Sequence, residues 1–134
     1  MNEPDWIEEP VVLALHLDQL KAFGGLAGVR DRGLLLSALG RARNTWAYAS
    51  PKPDAIRLAA SYIYGLAKNH PFLDGNKRTS LIVGLTFLRR NGWDLQATQA
   101  ERAQLILEVA SGTRDEAELE TWLRARAIPS TQSP

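Results

Sequence analysis

The sequence predicts an all-α protein, an orthogonal bundle of about six helices with a minor short β pairing. Apolar residues recur at helical spacing in six separate segments, and helix start and stop signals stand between those segments. The alternation of apolar and polar residues that is typical of a strand is limited to one short stretch, Trp93-Asp94-Leu95. Helices should therefore form nearly all of the core.

Length and composition indicate one globular domain over residues 1–134, with an N-terminal arm (1–10) and a flexible tail (130–134). A chain of 134 residues can bury a single core, and 45% hydrophobic with 23% charged residues is ordinary for such a domain. The acidic N-terminus does not read as a secretion signal, and no apolar run is long enough to span a bilayer. We therefore expect a cytoplasmic protein without membrane association.

Charge and residue usage exclude several classes of function. A net charge of +1 is small for a nucleic-acid binder, and residues 79–88 carry no charge that could form a basic recognition helix. No direct DNA binding is therefore expected. The absence of cysteine excludes disulfides, thiolate nucleophiles and cysteine-ligated zinc. The two histidines, His16 and His70, are too few for a multi-histidine metal site.

Two helices are predicted in the first third of the chain. The first covers residues 11–23, where apolar residues recur at helical spacing until Gly24-Gly25 stops the pattern. A second helix, capped by Asp31, should run through Arg43 and be largely buried, because its apolar face is broad. Residues 44–53 contain two prolines and a serine, and are predicted to form a loop.

The middle of the chain predicts the two helices that flank the most unusual loop. Residues 53–68 are apolar almost all round and should form the central helix of the bundle, which ends just before His70. A fourth helix is predicted over Thr79–Arg90, with Asn76 as its N-cap and Asn91-Gly92 as its stop signal.

The last third predicts one strand and two helices. Residues 93–95 could form a short strand paired with the N-terminal arm. Helices are predicted over residues 98–110 and 113–127, before Pro129. Each begins with a threonine followed three residues later by a glutamate, which is a capping-box pattern: Thr98 with Glu101, and Thr113 with Glu116. The polar tail is expected to be disordered.

The loop Asn69–Arg78 holds the side chains that are most typical of a catalytic site. One imidazole, one carboxylate, one carboxamide and two cations lie within nine residues: His70, Asp74, Asn76, Lys77 and Arg78. A polar loop that leads into a helix binds anions well, because the first-turn N–H groups and the positive end of the helix dipole face it. The loop is therefore equipped to transfer a group from a nucleotide to a hydroxyl.

Each of these residues also has a structural interpretation. His70 could cap the preceding helix, and Asp74 could form an Asx turn, which is compatible with metal binding. Lys77 and Arg78 could be a solvated pair, but cations at a helix N-terminus oppose the dipole, so an anion should compensate them. His16 is interpreted as a structural or surface histidine, because no other site-type residue lies near it in the sequence.

The predicted loop at residues 44–53 is unusual because it contains two aromatic side chains, Trp46 and Tyr48. They either cover the core or take part in docking a substrate. Both interpretations stay open at the level of sequence.

The string His70–Arg78, His-Pro-Phe-Leu-Asp-Gly-Asn-Lys-Arg, resembles the motif of the Fic/Doc superfamily. That motif is written roughly His-Pro-Phe-x-Asp/Glu-Gly-Asn-Gly/Lys-Arg, and every specified position matches. The likeness to the shorter Doc (death-on-curing) branch extends over most of the chain, through residues 14–16, 23–31 and 87–92. The resemblance implies a single Fic/Doc-like helical bundle.

The resemblance also implies an activity. Doc-like proteins are toxins of toxin–antitoxin systems, and their best-known activity is phosphorylation of a threonine on elongation factor Tu, which inhibits translation. By resemblance, His70 is the general base, Asp74 holds Mg²⁺, and Phe72 anchors the loop to the core. Lys77 and Arg78 would complete the catalytic set. The residues expected to bind the phosphates of ATP are Gly75, Asn76, Lys77 and Arg78.

Lys77 favours one of two enzyme interpretations. Relatives that transfer AMP usually have glycine at this position, whereas the Doc-like branch has lysine and is thought to bind the nucleotide reversed, with the γ-phosphate at the hydroxyl. We therefore prefer a Ser/Thr phosphotransferase. AMP transfer to a hydroxyl side chain (AMPylation) and a catalytically inactive Fic-fold binding module are the alternatives.

The resemblance implies two protein partners. Many Fic proteins carry an inhibitory helix with the pattern Ser/Thr-x-x-x-Glu-Gly/Asn, and this sequence lacks it. Inhibition is therefore expected in trans, from a cognate antitoxin whose disordered C-terminus folds as a helix in a groove. The second partner would be the substrate, a translation factor such as elongation factor Tu.

Overall fold

Six α-helices and two short strands make up the fold in a computed structural model that describes residues 2–130. The elements in chain order are α1 (Glu9–Phe23), α2 (Arg32–Tyr48), α3 (Ala55–Asn69), α4 (Asn76–Arg90), β1 (Trp93–Leu95), α5 (Gln99–Ser111), α6 (Glu116–Arg126) and β2 (Ala127–Pro129). The prediction of an all-α bundle with a minor β pairing is confirmed. No helix within residues 2–130 is both long and apolar enough to cross a membrane.

Helix α3 is the centre of the bundle, as predicted, and α2 and α4 pack closely against it. Its side chains are buried on nearly every face. Gly65 faces the backbone of α2, where an added Cβ would lie 3.3 Å from the Cα of Ala38. Gly84 of α4 faces Ile63, and a Cβ at this position would overlap the Ile63 side chain. The two glycines therefore allow α2 and α4 to approach α3 closely.

Helix α2 continues through Tyr48, so the loop predicted over residues 44–53 begins five residues later than expected. The prolines act only on their immediate neighbours: Ser50, which precedes Pro51, is disfavoured in a helix, but residues up to Tyr48 are not. The first residue after the helix, Ala49, still donates its N–H to the Thr45 carbonyl oxygen (3.0 Å). The two prolines therefore predict that a loop is present, but they do not predict the residue at which it begins.

The predicted partner of β1 was wrong. β1 pairs antiparallel with β2, with Trp93 opposite Pro129 and Leu95 opposite Ala127. Residues 2–8 of the N-terminal arm form no strand. The arm is fixed instead by side chains, because Trp6 and Ile7 are buried in the core and the backbone N–H of Ile7 donates to the Tyr62 hydroxyl (3.2 Å).

Capping boxes begin both α5 and α6, as predicted, but the box of α6 lies two residues later than expected. Thr98 and Glu101 form the predicted capping box of α5. The box of α6 uses Asp115 and Glu118 rather than the predicted Thr113 and Glu116. Gly112, in the left-handed conformation, ends α5, and the turn that follows must close before α6 can start. The polar tail predicted to be disordered lies outside the described residues from 131 onward.

An ion-pair network joins α3 and α6 on one side of the bundle. Glu116 accepts hydrogen bonds from Arg41, Arg57 and the Ser61 hydroxyl. Asp54 caps α3 by accepting from the Arg57 N–H (3.0 Å) and also pairs with Arg124 (2.7 Å). The hydrogen bonds from the Arg124 guanidinium lower the pKa of the Asp54 carboxyl, an effect that burial partly opposes.

Candidate functional site

His70 lies at the C-terminal end of α3 in a conformation that non-glycine residues rarely adopt. Its φ and ψ are both 53°, and it is the one non-glycine residue with positive φ within residues 2–130. Arg30 stabilises this turn: its Nε donates to the His70 carbonyl oxygen (2.8 Å) and its Nη2 to the Asn69 carbonyl oxygen (3.0 Å). The last carbonyls of α3 are thus capped by a cation, and the His70 side chain is left exposed.

The loop after His70 is attached along its backbone to the segment that follows α1. The N–H of Arg30 donates to the Pro71 carbonyl oxygen (2.7 Å), and the N–H of Leu73 donates to the Gly28 carbonyl oxygen (3.0 Å). Between these bonds, the Phe72 side chain is 1% exposed and belongs to the core. The loop is therefore held rigidly by bonds on both sides of one buried ring.

Asn76 occupies the first turn of α4 and is not its N-cap, so that prediction was wrong. The N-cap is Gly75, which is left-handed (φ 76°) and has no side chain to cap the helix. The amide of Asn76 is buried and serves the loop instead. Its Oδ1 accepts from the Phe72 N–H (2.9 Å), and its Nδ2 donates to the Phe72 carbonyl oxygen (2.9 Å). Because the Asn76 amide is bonded to the Phe72 peptide at both its oxygen and its nitrogen, it does not cap α4.

The same amide sets the protonation pattern of His70. The bond from the Phe72 N–H fixes which end of the Asn76 amide is oxygen, so the Nδ2 that lies 3.1 Å from His70 Nδ1 must be the donor. Nδ1 therefore accepts, and the neutral imidazole carries its proton on Nε2. The amide hydrogens of Asn76 already have partners within the loop, and the predicted phosphate contact would have to share them.

The N-terminus of α4 presents two cations without acidic partners. Lys77 and Arg78 are exposed, and within residues 2–130 neither forms an ion pair. The Arg78 guanidinium lies over the Phe23 ring of α1, 4.3 Å from its centroid. No side chain within residues 2–130 caps α4, so its first N–H groups lack side-chain partners at the helix end that carries both cations. This end of the helix is suited to an anion.

The Asp74 carboxylate is exposed, and the loop fixes its orientation. Oδ1 accepts from the Gly75 N–H (3.0 Å) and Oδ2 from the Leu26 N–H (3.3 Å). Each oxygen keeps a free lone pair. Within residues 2–130 no group of three or more acidic or histidine side chains converges, and Asp74 is the one acidic residue among the described side chains that line this site. That donor set fits Mg²⁺ when phosphate oxygens and waters provide the remaining ligands.

One pocket of about 720 Å³ brings these residues together. Its polar wall holds His70, Asp74, Lys77 and Arg78. The rest of the lining is mostly apolar side chains of α4 and α5, together with Arg102 of α5 and Phe23 of α1. Phe72 lies outside this lining, beneath the loop. The pocket thus combines an imidazole, one carboxylate and a cationic helix end, which is an arrangement that can hold a phosphate chain next to a base.

Two residues that the sequence did not place at the site support the loop from outside. Arg30 caps the carbonyls at its start, and His16 donates to the Asp74 carbonyl oxygen (2.8 Å) from a position on α1 that is 3% exposed. Both lie in stretches that resemble the Doc branch, which was the available signal. Neither is near the loop in sequence, so spacing alone could not have found them.

The two aromatic residues near the end of α2 do not line the pocket. Trp46 packs half-buried against the core, whereas Tyr48 is 85% exposed. Of the two interpretations, the structure gives Trp46 the covering role.

Comparison with known proteins agrees with the motif. The family model described as "Fic/DOC family" matches residues 6–88. The chain is 37% identical over 101 residues to "Protein kinase doc" of Escherichia phage P1, an alignment that covers 75% of this chain and 79% of the phage protein. It is 44% identical over 96 residues to "Toxin Doc" of Mycolicibacterium smegmatis, covering 70% of this chain and 72% of that protein. The chain therefore belongs to the Fic/DOC family.

Proposed function

We propose that this protein is the toxin of a toxin–antitoxin system and a Doc-like kinase that transfers the γ-phosphate of ATP to a Ser/Thr hydroxyl of a translation factor. One arrangement supports this most directly: at the N-terminus of α4, Lys77 and Arg78 have no ion-pair partner among residues 2–130, and they share a pocket with His70 and Asp74. The names of the two relatives, a protein kinase and a toxin, support the same function.

The residues would divide the reaction as follows. The substrate hydroxyl oxygen attacks the γ-phosphorus, the bond from that phosphorus to the β–γ bridging oxygen breaks, and ADP leaves. His70 accepts the hydroxyl proton. Lys77 and Arg78 stabilise the negative charge on the phosphate oxygens, with the first N–H groups of α4 contributing from the backbone. Mg²⁺, held by Asp74, would neutralise charge on the phosphates.

The bond from Asn76 adds a requirement to this mechanism. A general base in the pocket needs a nitrogen with a free lone pair, but the resting ring has its Nδ1 lone pair turned to the Asn76 amide and its proton on Nε2. The hydroxyl must therefore take over the Asn76 contact at Nδ1, or the ring must rotate so that Nδ1 faces the pocket. The exposed His70 side chain has room to do this.

Lys77 supports transfer of the γ-phosphate in preference to AMP. Its side chain stands at the position where glycine would leave the helix end open, and it lines the pocket from the first turn of α4. A terminal phosphate, with the highest charge in the nucleotide, is the part of ATP that a cationic helix N-terminus attracts most.

We propose elongation factor Tu as the substrate and a cognate antitoxin as the inhibitor. The antitoxin would act in trans and cover the pocket with a segment that folds on binding. The relative named a toxin and the missing inhibitory motif in the sequence support the antitoxin, and the resemblance of the motif to the Doc branch supports the translation factor.

Transfer from labelled ATP tests the proposal. Purified protein is incubated with bacterial lysate, Mg²⁺ and ATP labelled at either the α- or the γ-phosphate, with His70→Ala as the control. We expect label on one translation factor from γ-labelled ATP only, and none with His70→Ala. Expression of the wild type should also stop growth, and expression of His70→Ala should not.

Each other outcome selects an alternative. Label retained only from the α-phosphate would establish AMP transfer in place of phosphorylation. No transfer from either label, with a folded protein, would make the chain a binding module of the same fold.

A further inference from the structure

We propose that His16 of α1 is a positioning residue for the proposed reaction: its buried imidazole holds the Asp74 peptide, and through it the carboxylate assigned to Mg²⁺. The inference rests on the function proposed above. It concerns a residue that touches neither nucleotide nor substrate, because the ring lies beneath the loop and is 3% exposed.

The hydrogen bond of His16 identifies what the ring does. Nε2 lies 2.8 Å from the Asp74 carbonyl oxygen. A carbonyl can only accept, so Nε2 carries the proton and donates. Most buried polar side-chain atoms in proteins have a hydrogen-bond partner. Here the partner is the backbone of a loop that lies 58 positions away in the chain.

Stacking fixes the ring itself. The His16 and Phe72 rings are 3.8 Å apart between centroids and inclined by only 11°. Gly75 closes over the edge of the same ring, where an added Cβ would be 3.7 Å from His16 Nε2 and Cδ2. The imidazole therefore fills the space under the Asp74–Gly75 peptide and is held between the buried Phe72 and α1.

The bond completes a set of three that fixes Asp74. Its carbonyl oxygen accepts from His16, its Oδ1 from the Gly75 N–H, and its Oδ2 from the Leu26 N–H. If only the two hydrogen bonds of the carboxylate were present, the Asp74–Gly75 peptide could rotate together with the Asp74 side chain. The donor on α1 removes that freedom, so the carboxylate stays aimed at the pocket that His70 also lines.

Amide hydrogen exchange tests the positioning role without any nucleotide. His16→Phe keeps a flat ring to stack on Phe72 and removes the donor. We expect exchange of the Leu73 and Gly75 amides, which are hydrogen-bonded in the loop, to rise about tenfold, the effect of losing roughly one hydrogen bond, while the amides of α3 keep their protection. Unchanged exchange in the loop would overturn the proposal.

A near-isosteric pair isolates the donor from the ring. His16→Gln and His16→Met have similar length and volume, and only glutamine can donate to the carbonyl. We expect the glutamine variant to keep more loop protection than the methionine variant. Equal exchange in the two variants would mean that the ring acts by filling space alone, which overturns the proposal. This pair also replaces His16→Phe if that variant fails to unfold cooperatively.

Enzyme kinetics connect the position of Asp74 to catalysis. We expect His16→Phe to raise the Mg²⁺ concentration for half-maximal γ-phosphate transfer about tenfold, and His16→Gln to restore most of it. If His16 acts through Asp74, the double variant His16→Phe/Asp74→Asn should transfer no more slowly than Asp74→Asn alone. Multiplied losses would contradict this route. A wild type without transfer would refute the kinase, whereas the exchange measurement would still decide the role of His16.

Discussion

Two charged regions of the protein treat their cations differently. Beside α3 and α6, Arg57 and Arg124 each donate to carboxylates of the same chain, Glu116 and Asp54 among them. At the N-terminus of α4, Lys77 and its neighbour Arg78 have no such partners within residues 2–130. In the first region the cations are neutralised by carboxylates of the same chain. In the second region the positive charge stays available for an anionic ligand.

The difference separates stability from function. Paired charges on partly buried side chains fix one element against another, so their loss should weaken folding. Two cations at a helix N-terminus oppose the dipole and should weaken folding while they are present. Substitutions in the two regions should therefore change stability in opposite directions, and only those near the pocket should change activity.

The largest effect is expected from Lys77→Ala. Because the lysine would stabilise charge on the transferred phosphate, its removal should lower kcat/KM for γ-phosphate transfer by about 100-fold or more. The free energy of unfolding should stay equal or rise by about 0.3–1 kcal/mol, since an unfavourable charge leaves the first turn. Transfer kinetics and urea unfolding measure the two quantities.

Lys21→Ala provides the matched control, because it removes the same charge from the last turn of α1. Its transfer rate should equal that of the wild type. A Lys77→Ala variant as active as the wild type would remove the kinase assignment of this residue.

Glu116→Gln breaks the paired region. The carboxylate accepts from two guanidinium groups and one hydroxyl, so its neutralisation should destabilise the fold by about 1–3 kcal/mol. Transfer per folded molecule should not change. Asp18→Asn removes the same charge from an exposed position on α1 and should have no effect on urea unfolding. Stability unchanged in both variants would show that the network is too solvated to matter.

Phe23→Leu refines the comparison at the pocket. The ring supports the Arg78 guanidinium through a cation–π contact with 4.3 Å to the centroid. Leucine keeps the apolar body and loses that contact, which is worth about 0.5–1 kcal/mol at an exposed site. We expect KM for ATP to rise about threefold with kcat nearly unchanged. An unchanged KM would mean that Arg78 is oriented by the nucleotide alone.

The smallest effect concerns pH. The Arg124 hydrogen bonds lower the pKa of Asp54 below its ordinary value of 3.8, so this pair stabilises the fold above that pH. The contribution, about 0.5 kcal/mol for an exposed pair, is lost as the pH falls towards the folded-state pKa. Asp54→Asn, which can still cap α3, should therefore unfold more easily than the wild type at pH 7, and the difference should narrow as the pH falls below 3.8. A difference that does not change with pH would point to capping instead.

The starts and ends of helices could be predicted where the residues that determine them lie close together in the sequence. The capping box of α5 and the glycine stop after α1 depend on residues within one turn, and both appear as expected. The errors arose where distant groups compete. Asn76 is a good N-cap type, but the peptide of Phe72 takes its amide. The strand partner of Trp93 follows α6, at the opposite end of the sequence from the predicted N-terminal arm.

The candidate site, too, could be predicted only where its residues are close together in the sequence. The loop residues are consecutive, so sequence alone could put His70, Asp74 and Lys77 together. The supports of the loop could not be found in this way, because His16 and Arg30 reach it from α1 and the segment after it, 58 and 40 positions away. A hydrogen bond from a buried ring to a backbone oxygen far away in the sequence produces no recognisable pattern among neighbouring residues.

The turn after α4 gathers both ends of the described chain. Asp5 donates to the Asn91 side chain (2.8 Å), and the N–H of Ser130 donates to the Gly92 carbonyl oxygen (2.9 Å). Since α4 has 15 residues, this turn lies about 22 Å from the N-terminal end of the helix, where Lys77 and Arg78 stand. A purification tag or fluorescent protein joined at either side would start remote from the nucleotide, and a circular permutant linking the two ends should keep the pocket intact.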